Sequence, residues 1–142
     1  MVYVWEWKKS PKPLIYSDKG GPGKILDCAW SPVENKFVTA GISNIFFWDI
    51  TESQKKRKGI FGKNKMTNLT TVQGLDNGNF VAGGSNGWLY IWQGNNCIKS
   101  IQAVQTGCSI HTLRAVGNTI LCGGSDKNFF IMDISLNIRA KH

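Results

Sequence analysis

The stretch from Phe80 to Trp92 reads FVAGGSNGWLYIW and decides the fold of this chain. Its apolar start ends at two glycines, Ser-Asn-Gly follows, and a second apolar run, WLYIW, comes next. Gly and Asn suit a tight turn because they accept the positive φ angles that other side chains resist. Val, Ile, Tyr and Trp favour a pleated backbone on either side of that turn. The stretch therefore predicts a β-hairpin.

The same pattern occurs elsewhere in the chain. Residues Phe37 to Ile50 read FVTAGISNIFFWDI, residues Ile120 to Ile134 read ILCGGSDKNFFIMDI, and VYVWEW at Val2 to Trp7 is a shorter copy. Superposing the three hairpins places together Ala40, Gly84 and Gly124. A second aligned position, including the short copy, holds Trp5, Trp48, Trp92 and Met132, at intervals of 43, 44 and 40 residues. A period near 40 with a turn and a tryptophan is typical of WD-repeat β-propeller blades.

The repeat predicts an all-β chain made of about three and a half four-stranded antiparallel blades in one partial propeller. We expect a half blade at 1–17, with a polar turn at 8–13, and full blades at 25–62, 69–102 and 109–139. Gly59 to Gly62 is the predicted outer strand of the first full blade. Consecutive apolar residues such as FFW and LYIW indicate sheets that are covered on both faces, here by neighbouring blades.

Propeller closure follows as an expectation. Propellers usually close with about four to eight blades, because a closed ring covers every blade face. This chain has fewer, so its end blades would each expose an apolar face. We therefore expect missing propeller blades, or a second copy of the chain, to complete the ring. Since Met1 directly precedes half a blade, the sequence also predicts a chain that begins inside a structural unit.

Composition excludes several classes of protein. Charged residues are 18% of the chain and hydrophobic residues 42%, which suits a packed domain and argues against disorder. The apolar runs are too short to cross a membrane, and the order of MVYVWEWKKS is the reverse of a secretory leader. The spacing of Cys28, Cys97, Cys108 and Cys122 matches no metal-binding motif, so we expect buried, reduced thiols.

No arrangement of residues predicts catalysis. The chain has two histidines, His111 and His142, and no serine, cysteine or carboxylate pattern that would place a nucleophile beside a base. DKGGPGK, at 18–24, resembles a phosphate-binding loop, but Asp18 replaces its first glycine and Ile25 replaces its Ser or Thr. We expect no catalytic residue, no cofactor and no metal site.

A dense basic segment stands out within the net charge of +8. It places six cations within eleven residues, with no carboxylate among them. They are Lys55, Lys56, Arg57, Lys58, Lys63 and Lys65. Two interpretations remain open: a solvated loop, or a contact for an acidic partner whose encounter the positive potential would speed.

SNIFFWDI followed by SQKKRKGIFGK, from Ser43 to Lys63, resembles the echinoderm microtubule-associated protein-like (EMAP-like) family. In that family an H-I-x-F-W strand leads into a lysine-rich segment and a Gly-Leu-Phe triplet. VYVWEWKK, LDCAWSPVENKFVTAG and GGSNGWLYIWQGNN resemble other strands and turns of the same family, from Val2 to about Asp133. Asn44 replaces the usual His, and IMD stands at Ile131 to Asp133 where a Trp is usual.

The resemblance implies a non-catalytic, microtubule-associated propeller that binds tubulin, whose surface is acidic. It also implies a cytoplasmic location on the cytoskeleton, with cilium and spindle both open. The alternative is a general WD-repeat scaffold for another protein complex, unrelated to microtubules. Nucleic acid is disfavoured because the aromatic residues lie in predicted buried strands and are not interleaved with the cations.

Overall fold

A computed structural model of the chain describes residues 1–6, 8, 14–51 and 55–142. This part of the chain forms fourteen β-strands and no helix. The strands are β1 (Val2–Trp5), β2 (Leu14–Asp18), β3 (Ile25–Trp30), β4 (Lys36–Gly41), β5 (Asn44–Asp49), β6 (Lys56–Lys58), β7 (Leu69–Gly74), β8 (Phe80–Gly84), β9 (Trp88–Gln93), β10 (Asn96–Gln102), β11 (Ile110–Val116), β12 (Thr119–Gly124), β13 (Phe129–Asp133) and β14 (Ile138–Lys141). Within these described ranges, no helix is long and apolar enough to cross a membrane.

The strands form one two-stranded and three four-stranded antiparallel sheets, each in chain order. We call β1–β2 the half blade, β3–β6 the first full blade, β7–β10 the second and β11–β14 the third. The predicted all-β architecture of three and a half blades is confirmed. The last outer strand is Ile138–Lys141, two residues longer at its end than the predicted blade. Most of the turn predicted at 8–13 lies outside the described residues.

One position repeats in the centre of each full blade. A tryptophan or methionine of the third strand lies opposite an apolar residue of the second strand, and both side chains are buried. The pairs are Phe37 with Trp48, Phe80 with Trp92 and Ile120 with Met132. Strand alternation places all of these side chains on the blade face that meets the preceding sheet.

The strand register corrects the predicted superposition of Ala40 with Gly84 and Gly124. Gly84 pairs with Leu69 and Gly124 with Ile110, and the residue that pairs with the corresponding Ile25 is Gly41. Ala40 is therefore one residue out of place. The reason is a shorter turn in the first full blade, where Gly41 pairs directly with Asn44.

The predicted outer strand at Gly59 to Gly62 is also wrong. The outer strand of the first full blade is β6, the basic segment itself, paired with β5. Residue Ile60 instead forms a parallel bridge to Asn96 of the second full blade, with its N–H 2.8 Å from the carbonyl oxygen of Asn95. The Phe61 ring then lies 5.0 Å from the Trp92 ring, edge to face. This connection fastens the outer edges of two blades together.

The core consists of three apolar layers, each between successive sheets. The layer between the half blade and the first full blade contains Val4 and Trp48. The next layer, between the first and second full blades, contains Phe47, Phe80 and Trp92. The layer between the second and third full blades is built on residues such as Ile91 and Leu113. Blades thus pack face against face, as in a propeller.

Candidate binding surface

The basic segment is divided between two faces because part of it is a strand. Successive side chains of a strand point to opposite faces. Arg57 lies opposite Phe47, whose side chain faces the second full blade, whereas Lys56 lies opposite Trp48, whose side chain faces the half blade. Lys55 precedes β6 and lines the same pocket as Arg57. The six cations therefore do not form one patch.

Lys56 has a structural role. Its Nζ donates to the carbonyl oxygen of Lys19 at 2.7 Å and forms an ion pair with Asp18 at 3.4 Å. The same ammonium lies 5.2 Å from the Phe46 ring centroid and 5.1 Å from that of Trp48. These contacts hold the half blade against the first full blade. Lys56 is the member of the predicted site that is least available to a partner.

A pocket of about 330 Å³ opens between the first and second full blades. The buried rings of Phe47 and Phe80 form its floor, with centroids 5.9 Å apart and their planes inclined at 64°. The turn at Gly94 and Asn95 forms another wall. Lys55 and Arg57 both line this pocket. It combines an apolar floor with two exposed cations.

The other charges at the pocket are largely engaged. Lys36 forms an ion pair with Glu34 at 2.7 Å. Asp49 accepts hydrogen bonds from the hydroxyl and the N–H of Thr51, and these bonds, with Lys36 and Lys55 nearby, lower the pKa of the Asp49 carboxyl. In contrast, Lys55 and Arg57 form no ion pair with any carboxylate in the described part of the chain. The lining carries three cations, Lys36, Lys55 and Arg57, against the two carboxylates of Glu34 and Asp49, so its net charge is +1 and favours an anionic group.

The remaining predicted cations lie away from the pocket. Lys58 is exposed, and its carbonyl oxygen accepts a 2.9 Å hydrogen bond from the Asn95 side chain. Lys63 and Lys65 are exposed in the connection between β6 and β7. Sequence reasoning missed Phe47, Phe80 and Asn95 as pocket residues. The alternation of the KKRK run, if interpreted as a strand, could have indicated Arg57 and its cross-strand neighbour Phe47.

Other reactive side chains form no site. Among the described residues, no group of three or more His, Cys, Asp or Glu is placed to hold a metal ion. Cys122 is buried, and burial raises the pKa of its thiol to about 12, so it packs as a small apolar side chain. Cys28 is exposed, which corrects the expected burial. Its counterparts in the next two blades, Val72 and Leu113, are buried by a preceding inner strand that the described half blade lacks.

Comparison with known proteins adds relatives along nearly the whole chain. The ciliary WD repeat-containing protein ctxp80 of Euplotoides octocarinatus is 32% identical over 134 residues, which cover 92% of this chain and 18% of that protein. The 77 kDa echinoderm microtubule-associated protein of Strongylocentrotus purpuratus is 31% identical over 137 residues, which cover 92% of this chain and 20% of that protein. The chain thus spans about a fifth of the length of these relatives. No model of a known protein family matches it.

Solved structures support the same architecture. The RRP9 WD40 repeats superpose with a TM-score of 0.74 at 13% identity, over 87% of this chain and 39% of that one. The computationally designed Ika4 protein superposes with a TM-score of 0.72 at 23% identity, over 89% of this chain and 76% of that one. Fold and register therefore define a WD-repeat β-propeller segment. Over this segment, the chain is similar to proteins of the echinoderm microtubule-associated protein-like family.

Proposed function

We propose that this chain is a non-catalytic propeller segment that binds microtubules through the acidic surface of tubulin, in the cytoplasmic cytoskeleton. The observation that carries the proposal is a set of exposed cations in β6 and in the residues flanking it that form no ion pair with a described carboxylate. These cations are Lys55, Arg57, Lys58, Lys63 and Lys65. Relatives named as microtubule-associated proteins supply the candidate partner.

The physical basis is electrostatic steering. Exposed charges of one sign raise the local concentration of an acidic partner and speed encounter, and salt weakens both effects. Each exposed cation contributes only about 0.2–1 kcal/mol, so several must act together. Lys56 is excluded from this set because Asp18 and the Lys19 carbonyl already hold it.

The test is co-sedimentation with microtubules over a range of salt. Replacing the five exposed cations by Gln, with Lys56 retained, should weaken binding by about tenfold or more and flatten its salt dependence. The matched control replaces five cations that are exposed outside the segment, Lys19, Lys24, Arg114, Lys127 and Lys141, by Gln. Unchanged binding by the five-residue variant would show that the basic segment does not contribute to microtubule binding.

A general WD-repeat scaffold is the second candidate. Its support is the fold itself, since propellers of this architecture present several surfaces on which a partner can bind. Under this candidate the chain would recover a stable protein partner and would not sediment with microtubules at any salt concentration. Sedimentation that depends on the basic segment would favour the microtubule function instead.

We also propose that further blades cover the two end faces of this segment. Val38 and Val81 are 0% exposed because the next blade covers them, whereas Leu121 at the same register position of the third full blade is 46% exposed. Phe129 is likewise 47% exposed where its counterpart Leu89 is 0% exposed. At the other end, Trp5 and Tyr3 of the half blade are exposed. Large exposed apolar patches are typical of association surfaces.

Sedimentation velocity of the 142-residue chain tests this closure. We expect assembly beyond the monomer at micromolar concentration, with a second copy supplying the missing cover. Replacing Leu121 and Phe129 by Glu should shift the population toward monomer, because it places charges at the covered face. A compact monomer for the unaltered chain would contradict the proposal.

A further inference from the structure

Arg57 and Lys99 occupy the same place in successive blades. Arg57 lies opposite Phe47 in the first full blade, and Lys99 lies opposite Ile91 at the matching position of the second. Lys99 donates from Nζ to the carbonyl oxygen of Ser135 at 2.5 Å. The Arg57 side chain makes no hydrogen bond or ion pair with a described residue. At the first junction, therefore, no described residue binds the corresponding cation.

The Arg57 side chain lines a pocket between the first and second full blades. The pocket of about 330 Å³ is at the lower end of ligand-site volumes, which are roughly 300–1,000 Å³. It is large enough for one side chain of a partner and too small for a folded element. The Phe47 and Phe80 floor is apolar and largely buried. An apolar partner side chain placed on it is removed from contact with water, which favours binding.

The charged residues of the pocket indicate which groups of the ligand should flank its apolar side chain. Lys36 is paired with Glu34, and the Asp49 carboxylate accepts two hydrogen bonds from Thr51. Asp49 is still a carboxylate and lies near Lys36 and Lys55, so the lining carries one surplus positive charge. The Arg57 guanidinium presents a planar fork of donors that matches a carboxylate.

We propose that this pocket receives a short acidic peptide segment of the partner. One apolar side chain of the segment packs on Phe47 and Phe80, and flanking carboxylates bind Lys55 and Arg57. This inference rests on the proposed function, because the segment belongs to the acidic partner, and it adds the residues that receive it. Lys63 and Lys65 contribute only general attraction.

The experiment measures binding of two fluorescent peptides to the full chain at fixed salt. One is a run of glutamates around a single phenylalanine, and the other has alanine in place of that phenylalanine. We expect the phenylalanine peptide to bind about tenfold more tightly, from burial of one aromatic side chain. The Phe47→Leu variant should reduce this preference, and its thermal unfolding curve checks that the fold is kept.

Matched charge variants complete the test. Replacing Lys55 and Arg57 by Gln should weaken peptide binding about tenfold or more, since charge-assisted hydrogen bonds are lost. Replacing Lys63 and Lys65 by Gln removes the same net charge and should change binding less than threefold by general screening alone. Equal losses of peptide affinity in the two double variants, or no preference for the phenylalanine peptide, would contradict the proposal that the pocket binds an acidic peptide.

The outcomes also separate this inference from the proposed function. Equal losses of peptide affinity combined with salt-dependent microtubule binding would support microtubule binding through a diffuse basic surface. They would contradict peptide binding in the pocket. Peptide binding as expected, without microtubule binding, would support the peptide-binding pocket and contradict tubulin as the partner. Tighter binding of an oligothymidylate than of either peptide, sensitive to the same Lys55 and Arg57 changes, would overturn the assignment to an acidic peptide.

Discussion

The two junctions between full blades have the same strand register. They differ at the turn that leads into the outer strand of the later blade. Between the second and third full blades, Leu136 is buried in the apolar layer, and Lys99 is bonded to Ser135. Between the first and second, the corresponding turn holds Gly94, where a Cβ would meet no atom within 4 Å. The Arg57 side chain there forms no ion pair with a described carboxylate. We call these the closed junction and the open junction.

Turn length accounts for the difference. Four residues separate the paired Trp92 and Cys97, whereas five separate the paired Met132 and Ile138. The additional residue allows Leu136, with a φ of 64°, to reach into the core. One residue in a surface turn therefore decides whether a blade junction is filled by its own side chain or leaves a pocket.

The largest expected effect is at the closed junction. Leu136→Ala should lower the free energy of unfolding by about 2–4 kcal/mol, because it removes a buried leucine from the layer. The matched change at the open junction, Asn95→Ala, should cost less than about 1 kcal/mol, since it removes one exposed hydrogen bond to Lys58. Urea unfolding measures both. Equal losses would contradict the distinction between the junctions.

A second difference lies at the tryptophans that flank the open junction. Trp48 donates from Nε1 to the Thr39 hydroxyl at 2.9 Å, whereas Nε1 of Trp92 is buried and has no partner in the described residues. Ala82 occupies the position that corresponds to Thr39. Thr39→Val should therefore cost about 0.5–1.5 kcal/mol, because it removes the hydroxyl that accepts the Trp48 hydrogen bond.

Thr39→Ser is the matched control, because it keeps the hydroxyl, and it should preserve more of the stability than valine does. Chemical unfolding with tryptophan fluorescence monitors both variants. If valine is tolerated as well as serine, the hydrogen bond to Trp48 contributes nothing to the blade.

The smallest expected effect separates two neighbouring cations. Lys56→Met should lower the free energy of unfolding by roughly 0.5 kcal/mol, since the ion pair with Asp18 is partly exposed. Arg57→Met should leave stability unchanged within that range, because Arg57 forms no ion pair with a described residue. A loss of stability for Arg57→Met that exceeds the loss for Lys56→Met would show that the two roles are assigned the wrong way round.

The hairpin pattern was sufficient to predict the blades but not their fine register. The sequence pattern aligns Ala40 with Gly84, because the sequence alone does not show that the turn after Gly41 is one residue shorter. Strand β6 was missed because lysine and arginine runs are usually solvated loops, and only pairing with Phe46 to Trp48 makes this one a strand.

The pocket was beyond the reach of the sequence for a related reason. Its floor joins Phe47 and Phe80, which belong to different blades and meet only when the two sheets pack. The two faces of KKRK are likewise decided by register, which selects Arg57 for the pocket and Lys56 for the half blade. The sequence indicates a basic segment, but only the strand register shows that its side chains point to two different faces of the sheet.

The most direct test compares Arg57→Gln and Lys56→Gln in microtubule co-sedimentation at low and moderate salt. Both variants lose one positive charge from the same short strand. The account predicts that Arg57→Gln weakens binding several-fold, as expected for a charge-assisted contact, while Lys56→Gln leaves it nearly unchanged. Equal effects of the two variants, or a larger effect of Lys56→Gln, would contradict it.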